Sequence, residues 1–205
     1  VARFTAACVL AFAVVVAGCS DDPGRLQGAT LEPTPVVAAL QAPEGAAGTP
    51  FRFTADPGGL LAVYFGYTQC PDLCPTTMAD LKAAFGKIGS RAERIDVAMV
   101  TVDPARDTPA IVADYLAHFF PAGRTHPLRI TDPTALKTVE EGFLASSSVT
   151  TKPDGTVEVS HTAMTSIVDD QGRIVVQWPF GTSPDTMAHD LRLLLEWTMA
   201  AAERS

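Results

Sequence analysis

Two cysteines stand three residues apart in the stretch GYTQCPDLCPTTM, residues 66–78, and each is followed by a proline. Two thiols at that spacing can exchange disulfides, hold a soft metal, or form a structural bridge. The bridge is the weakest of the three, because closing a three-residue loop removes little entropy from the unfolded chain. Proline pushes the residue before it toward extended backbone, so Cys70 and Cys74 are expected outside regular helix, in a short arch. Pro75 suits the first turn of a helix, which makes Cys74 the expected N-cap, with its sulfur beside unpaired backbone N–H groups. A thiolate gains from that positive helix end, so reactive sulfur is expected here.

Thiolates favour Cu(I) and Zn(II), but two sulfurs alone leave either ion under-coordinated. A third ligand would separate metal binding from disulfide exchange, and the chain has four histidines. His118 falls in an amphipathic helical pattern and His189 in the C-terminal one, where both read as ordinary surface or core residues. His126 precedes Pro127 and reads as a solvated loop residue. His161, in VEVSHTAMTSIVDD, falls at the start of an expected strand, at a sheet end that faces the cysteine arch in a thioredoxin-like fold. On topology alone it is equally a metal ligand or a hydrogen-bonded loop histidine.

The elements that must position these side chains follow from periodicity. Residues 60–67 form an unbroken apolar run, as in a strand buried on both faces. Met78, Leu81, Phe85 and Ile88 recur at helical spacing over 75–88. Residues 95–102 repeat the buried-strand pattern, and 108–120 form a helix with Pro109 in its first turn. A short strand at 128–130 and a helix at 133–143 follow. Two hairpins are expected next, one over 149–159 around Pro153-Asp154-Gly155, the other joining 163–168 to 174–178. A final helix, 184–202, carries Met187, Leu191, Leu194, Leu195 and Met199 on its apolar side. Before residue 60 only short strands at 36–40 and 51–54 are legible. This order describes an α/β domain, a thioredoxin-like mixed β-sheet sandwiched between α-helices.

The chain has 205 residues, 47% of them hydrophobic, a net charge of −8 and no Lys/Arg cluster, which argues against nucleic acid as a partner. Residues 1–18 read as a signal peptide, with Arg3 ahead of an apolar stretch at 4–16 that is short for a membrane span. Val16-Ala17-Gly18-Cys19 resembles a bacterial lipobox, so Cys19 is the expected lipidation site; the bland alternative is a secreted protein in which Cys19 is incidental. Cys8 would leave with the signal. Residues 19–32, rich in Asp, Gly and Pro, read as a lipidated cysteine and flexible tether, and 33–205 as the folded domain.

The motifs FGYTQCPDLCPTTM, VTVDPARDTP and SHTAMTSIVDDQGRIV, in that order across residues 65–175, resemble the Sco/SenC family of copper-binding, thioredoxin-like proteins. The resemblance implies that Cys70, Cys74 and His161 bind copper, as Cu(I) and as Cu(II), and deliver it to the CuA centre of cytochrome c oxidase subunit II. It also implies a membrane-anchored domain facing the periplasm or outer surface. Asp103 matches an acidic position of the family motif and would act in the outer shell, orienting His161 or balancing charge; it reads equally as a turn residue before Pro104. Asp72 reads as a turn residue, and Met164 as core rather than as a thioether ligand. Thr162 and Met164-Thr165 depart from the family pattern, leaving the ligands intact but altering the contact surface.

A metallochaperone is a binding and transfer protein, not an enzyme. The rival class, a thiol-disulfide oxidoreductase, needs only Cys70 and Cys74. Against it stand the three-residue spacing, where common redox motifs have two, and Ser160-His161-Thr162 where thioredoxins place a proline. A redox or copper sensor would use the same residues. A Cys70–Cys74 disulfide cannot take copper, so loading would require an exported thioredoxin-like reductant.

Overall fold

The computed structural model describes residues 24–204; Arg3, Cys8 and Cys19, with the expected signal and lipidation site, lie outside the described residues. The unbroken apolar run becomes strand β3 (Leu60–Gly66), buried along its whole length. Its residues alternate between two cores. Leu60, Ala62 and Tyr64 face one, and Leu61, Val63 and Phe65 face the other. The chain before it supplies β1 (Gln41–Glu44) and β2 (Thr49–Arg52). After it come α1 (Leu73–Ile88), a 3₁₀ turn, β4 (Ile95–Thr101), α2 (Pro109–Ala117), β5 (Thr125–Leu128) and α3 (Pro133–Gly142). Then follow β6 (Ser147–Thr151), β7 (Val157–His161), β8 (Met164–Val168), β9 (Ile174–Pro179) and α4 (Pro184–Ala202).

Seven strands form one mixed sheet in the order β2-β1-β5-β4-β3-β8-β9, while β6 and β7 form a separate two-stranded sheet. Strands β3, β4 and β5 run parallel, and the remaining pairs are antiparallel. Residues of α1, α2 and α4 pack on one face of the large sheet, and α3 with Val37 and Phe53 on the other. This is the thioredoxin-like sandwich expected from the element order. Burying side chains such as Leu81 and Leu191 contributes about 1.5–3 kcal/mol each.

Three helices begin with the same local grammar. Thr108, Asp132 and Ser183 are N-caps whose side chains accept backbone N–H groups, and each is followed by a proline in the first turn. Helix α1 is the exception: its N-cap, Asp72, makes no such side-chain bond.

The expected strand at 36–40 does not form. Val36 makes one isolated bridge to Arg173, and the first strand lies later, at β1. Met199 is 36% exposed, off the apolar face of α4 to which its spacing assigned it, and Phe85 is half-buried. Part of the stretch read as tether is packed against the domain. The fully buried Asp190 carboxylate accepts N–H groups from Gln27 (2.7 Å), Gly28 (2.8 Å) and the Trp178 indole (2.9 Å). Ala29 pairs with Gln177 at the edge of β9. A side chain at Gly28 would lie 2.6 Å from the Trp178 ring, so only glycine fits beneath this strap.

Candidate metal centre

Strand β3 ends at Gly66, and the chain arches into α1 over residues 67–72. Asp107, buried after β4, ties the arch down: its carboxylate accepts the Thr68 N–H (3.0 Å) and Thr68 hydroxyl (2.5 Å), and the hydroxyl of Thr101 (2.7 Å) at the end of β4. Two cysteines follow, both free thiols. Cys74 lies inside the first turn of α1, not at its N-cap, which is Asp72. Pro75 in the first turn sacrifices no intrahelical bond, so the steric bias on Cys74 is the only cost of helical backbone there, and the bond from the Cys74 N–H to Cys70 Sγ offsets it. Cys70 instead does the capping: its Sγ accepts the Cys74 N–H at 3.3 Å.

The two sulfurs therefore differ. Burial alone would push the Cys70 thiol up, but hydrogen bonds from the backbone N–H groups of Cys74 and Asp72 outweigh it and hold it below the ordinary thiol value. Burial pushes the Cys74 thiol up to about 12. The positive helix end acts on Cys70 rather than on Cys74, the reverse of the sequence-based expectation.

His161 ends β7, where Ser147 of β6 pairs with it. Its Nε2 stands 3.7 Å from Cys74 Sγ. Its Nδ1 lies 3.2 Å from the Thr162 carbonyl; a carbonyl only accepts, so Nδ1 carries the proton and Nε2 presents a lone pair to the sulfurs. Burial lowers its pKa below the ordinary imidazole value, against the opposing pull of that bond and of Glu140, which keeps the ring neutral. Tyr64 and Tyr67 stand edge-to-face to it, with ring centroids 5.9 and 6.0 Å away.

Ligand atoms of Cys70, Cys74 and His161 all lie within 4.8 Å of one another. One ion bonded at about 2.3 Å to sulfur and about 2.0 Å to nitrogen spans the 3.7 Å between Cys74 and His161. Gly66 leaves the room: a Cβ there would meet the Tyr64 ring at 2.5 Å and Cys74 Sγ at 3.2 Å. Two thiols and a neutral imidazole make a soft, low-coordinate donor set, suited to a monovalent copper ion or to a zinc ion completed by a further ligand.

The other sequence candidates fall elsewhere. Asp103 is buried, but its carboxylate pairs with Arg106 and its carbonyl accepts the N–H groups of Arg106 and Asp107, so it serves the turn; His161 Nδ1 is occupied by Thr162. Asp72 is exposed, as expected of a turn residue, while Met164 is half-buried at the start of β8. His118 is exposed and His189 half-buried, and they bond to the Asp114 and Arg25 carbonyls. His126 is not solvated: it is half-buried in β5 between Glu44 and Asp96. Sequence reasoning missed Asp107, although it closes the VDPARD motif; an acidic residue spaced six from Thr101 was the available signal.

A thioredoxin-like sandwich with a Cys-x₃-Cys arch at the end of its central strand and a histidine delivered to it from a side hairpin defines the class. The SCO1/SenC family model matches residues 44–196, and the chain belongs to that family. An SCO2-like protein of Rickettsia conorii is 30% identical over 138 residues, covering 66% of this chain and 65% of its own length, so the chain spans under two thirds of that relative. Among solved structures, apo Sco1 of Thermus thermophilus is 30% identical with a TM-score of 0.65, covering 86% of this chain and 97% of its own. ScoI of Bradyrhizobium japonicum with copper bound is 29% identical with a TM-score of 0.62, covering 75% of this chain and 95% of its own.

Proposed function

We propose that Cys70, Cys74 and His161 hold copper, chiefly as Cu(I) and also as Cu(II), and that the protein passes it to the CuA centre of cytochrome c oxidase subunit II. The observation that carries this reading is the convergence of two sulfurs and a neutral imidazole nitrogen within 4.8 Å of one another. Membership of the SCO1/SenC family and the copper held by the Bradyrhizobium relative support it. Copper is cargo here. Three soft ligands bind it firmly, and the low coordination number leaves room for an incoming ligand to displace one bond at a time. Each thiol gives up its proton on loading, so binding releases protons.

The N-terminal reading belongs to the same proposal: residues 1–18 as a cleaved signal, a lipid on Cys19, and a domain facing the periplasm or outer surface. No helix among the described residues is long and apolar enough to cross a membrane; in this proposal the lipid on Cys19 is the attachment. Anaerobic Cu(I) titration of the reduced protein against a competing chelator tests the site. One copper is expected, weakened by Cys70→Ser and by His161→Ala, and transferred to a subunit II CuA domain. Copper held equally well by both variants would sink the reading.

A second reading rests on the inequality of the thiols. Cys70, 9% exposed and held below the ordinary value, is poised to attack a disulfide, with buried Cys74 as the resolving partner. An exported reductant that opens a Cys70–Cys74 disulfide before loading would use the same pair.

A further inference from the structure

Tyr64 is 1% exposed, on the central strand two residues before Gly66. Its hydroxyl is buried and has no hydrogen-bond partner among the described residues. An unmade hydroxyl bond in the interior destabilises, and a phenylalanine would fill the same volume without that penalty. The ring lies against the metal centre: a single point, the place of a Cβ on Gly66, is 2.5 Å from Tyr64 Cε1 and 3.2 Å from Cys74 Sγ. The ring also meets His161 in an edge-to-face contact. The neighbouring hydroxyl of Thr77 donates its own proton to the Leu73 carbonyl at 2.8 Å. The Tyr67 backbone N–H and the Tyr64 phenol both bear on the Cys74 sulfur.

We infer that Tyr64 is the positioning residue of the copper site: when copper replaces the Cys74 proton, the phenol O–H donates a hydrogen bond to the metal-bound sulfur. The inference rests on the copper reading above. A tyrosine phenol is protonated at neutral pH and able to donate. Hydrogen bonds to charged acceptors are the strong ones, and this one exists only in the loaded state; it therefore favours retention of copper without tightening the metal-free fold.

The test compares the full chain with Tyr64→Phe and with Tyr115→Phe, which removes the other buried phenol hydroxyl without a partner among the described residues, one that also lies within electrostatic reach of Cys70 and Cys74. Tyr64→Phe should weaken Cu(I) about tenfold or more in chelator competition. It should also move the sulfur-to-Cu(II) charge-transfer absorption to longer wavelength, because an unbonded sulfur gives up electron density more easily. Metal-free thermal stability should stay equal to wild type or rise. In the Cu(I)-loaded wild type, NMR should find a Tyr64 hydroxyl proton protected from exchange. Unchanged affinity and absorption in Tyr64→Phe, or equal changes in both variants, overturns the inference while leaving the copper reading intact. A wild-type chain that holds no copper overturns both.

Discussion

Two half-buried histidines stand in opposite surroundings. His126, in β5, is clasped between Glu44 (2.6 Å) and Asp96 (3.5 Å), with Arg124 on the far side of Asp96 and the Phe51 ring 4.6 Å away. Burial would drive it neutral, but the hydrogen bonds to Asp96 and Glu44 win and hold its pKa above the ordinary imidazole value. His161 faces sulfur, tyrosine rings and one carbonyl, and burial prevails there. One site holds a proton and the other offers a lone pair. Burial is common to both, so the partners decide whether a histidine becomes half of an ion pair or a metal ligand.

The contrast can be broken at either side. The largest effect is expected from Cys74→Ser, which should lower Cu(I) affinity by more than the ~100-fold typical of residues outside the ligand shell while leaving the His126 cluster untouched; chelator competition reads this directly. Next comes Asp107→Ala. It strands the Thr68 and Thr101 donors and should cost about 3 kcal/mol in urea unfolding, loosening the arch as well. Gly66→Ala forces a Cβ between Tyr64 and Cys74 and should cost about 1–3 kcal/mol, with weakened copper retention as the companion readout. The smallest effect belongs to His126→Gln. A raised folded pKa means that the wild-type contribution is fully present below the unfolded value near 6.5 and is lost as pH climbs through the folded pKa. The variant should therefore be less stable than wild type at pH 5, match it more closely at pH 9, and bind copper as wild type does. Urea midpoints that differ equally at both pH values would show that the His126 charge contributes nothing.

The sequence was most readable where one local rule decides the outcome. Helix α4 spans the residues its periodicity marked, and β3 the unbroken apolar run, because each has a face that only one period can bury. The arch and its two sulfurs were legible from spacing. Which sulfur faces the helix N-terminus was not, since Cys74 before Pro75 is compatible with either an N-cap or a first turn. Strand β1 was missed because it is a four-residue strand containing Pro43, paired to β5 at a single position, Glu44 with Leu128; no periodicity announces it. His126 was misread for a related reason: Glu44 and Asp96 arrive from distant segments, and nothing near His126 in the chain reveals them. Tyr64 looked like one more core residue until its hydroxyl was found without a partner.

The clamp of Asp190 on Gln27 and Gly28 also sets a leash length. With the proposed lipid on Cys19, eight residue-to-residue steps at most separate the lipidated cysteine from the first clamped position, about 26–29 Å even if drawn straight. A domain so moored cannot range far in search of a client. Copper transfer from it would be a matter of lateral diffusion in the plane of the membrane, which suits a recipient that is itself membrane-bound.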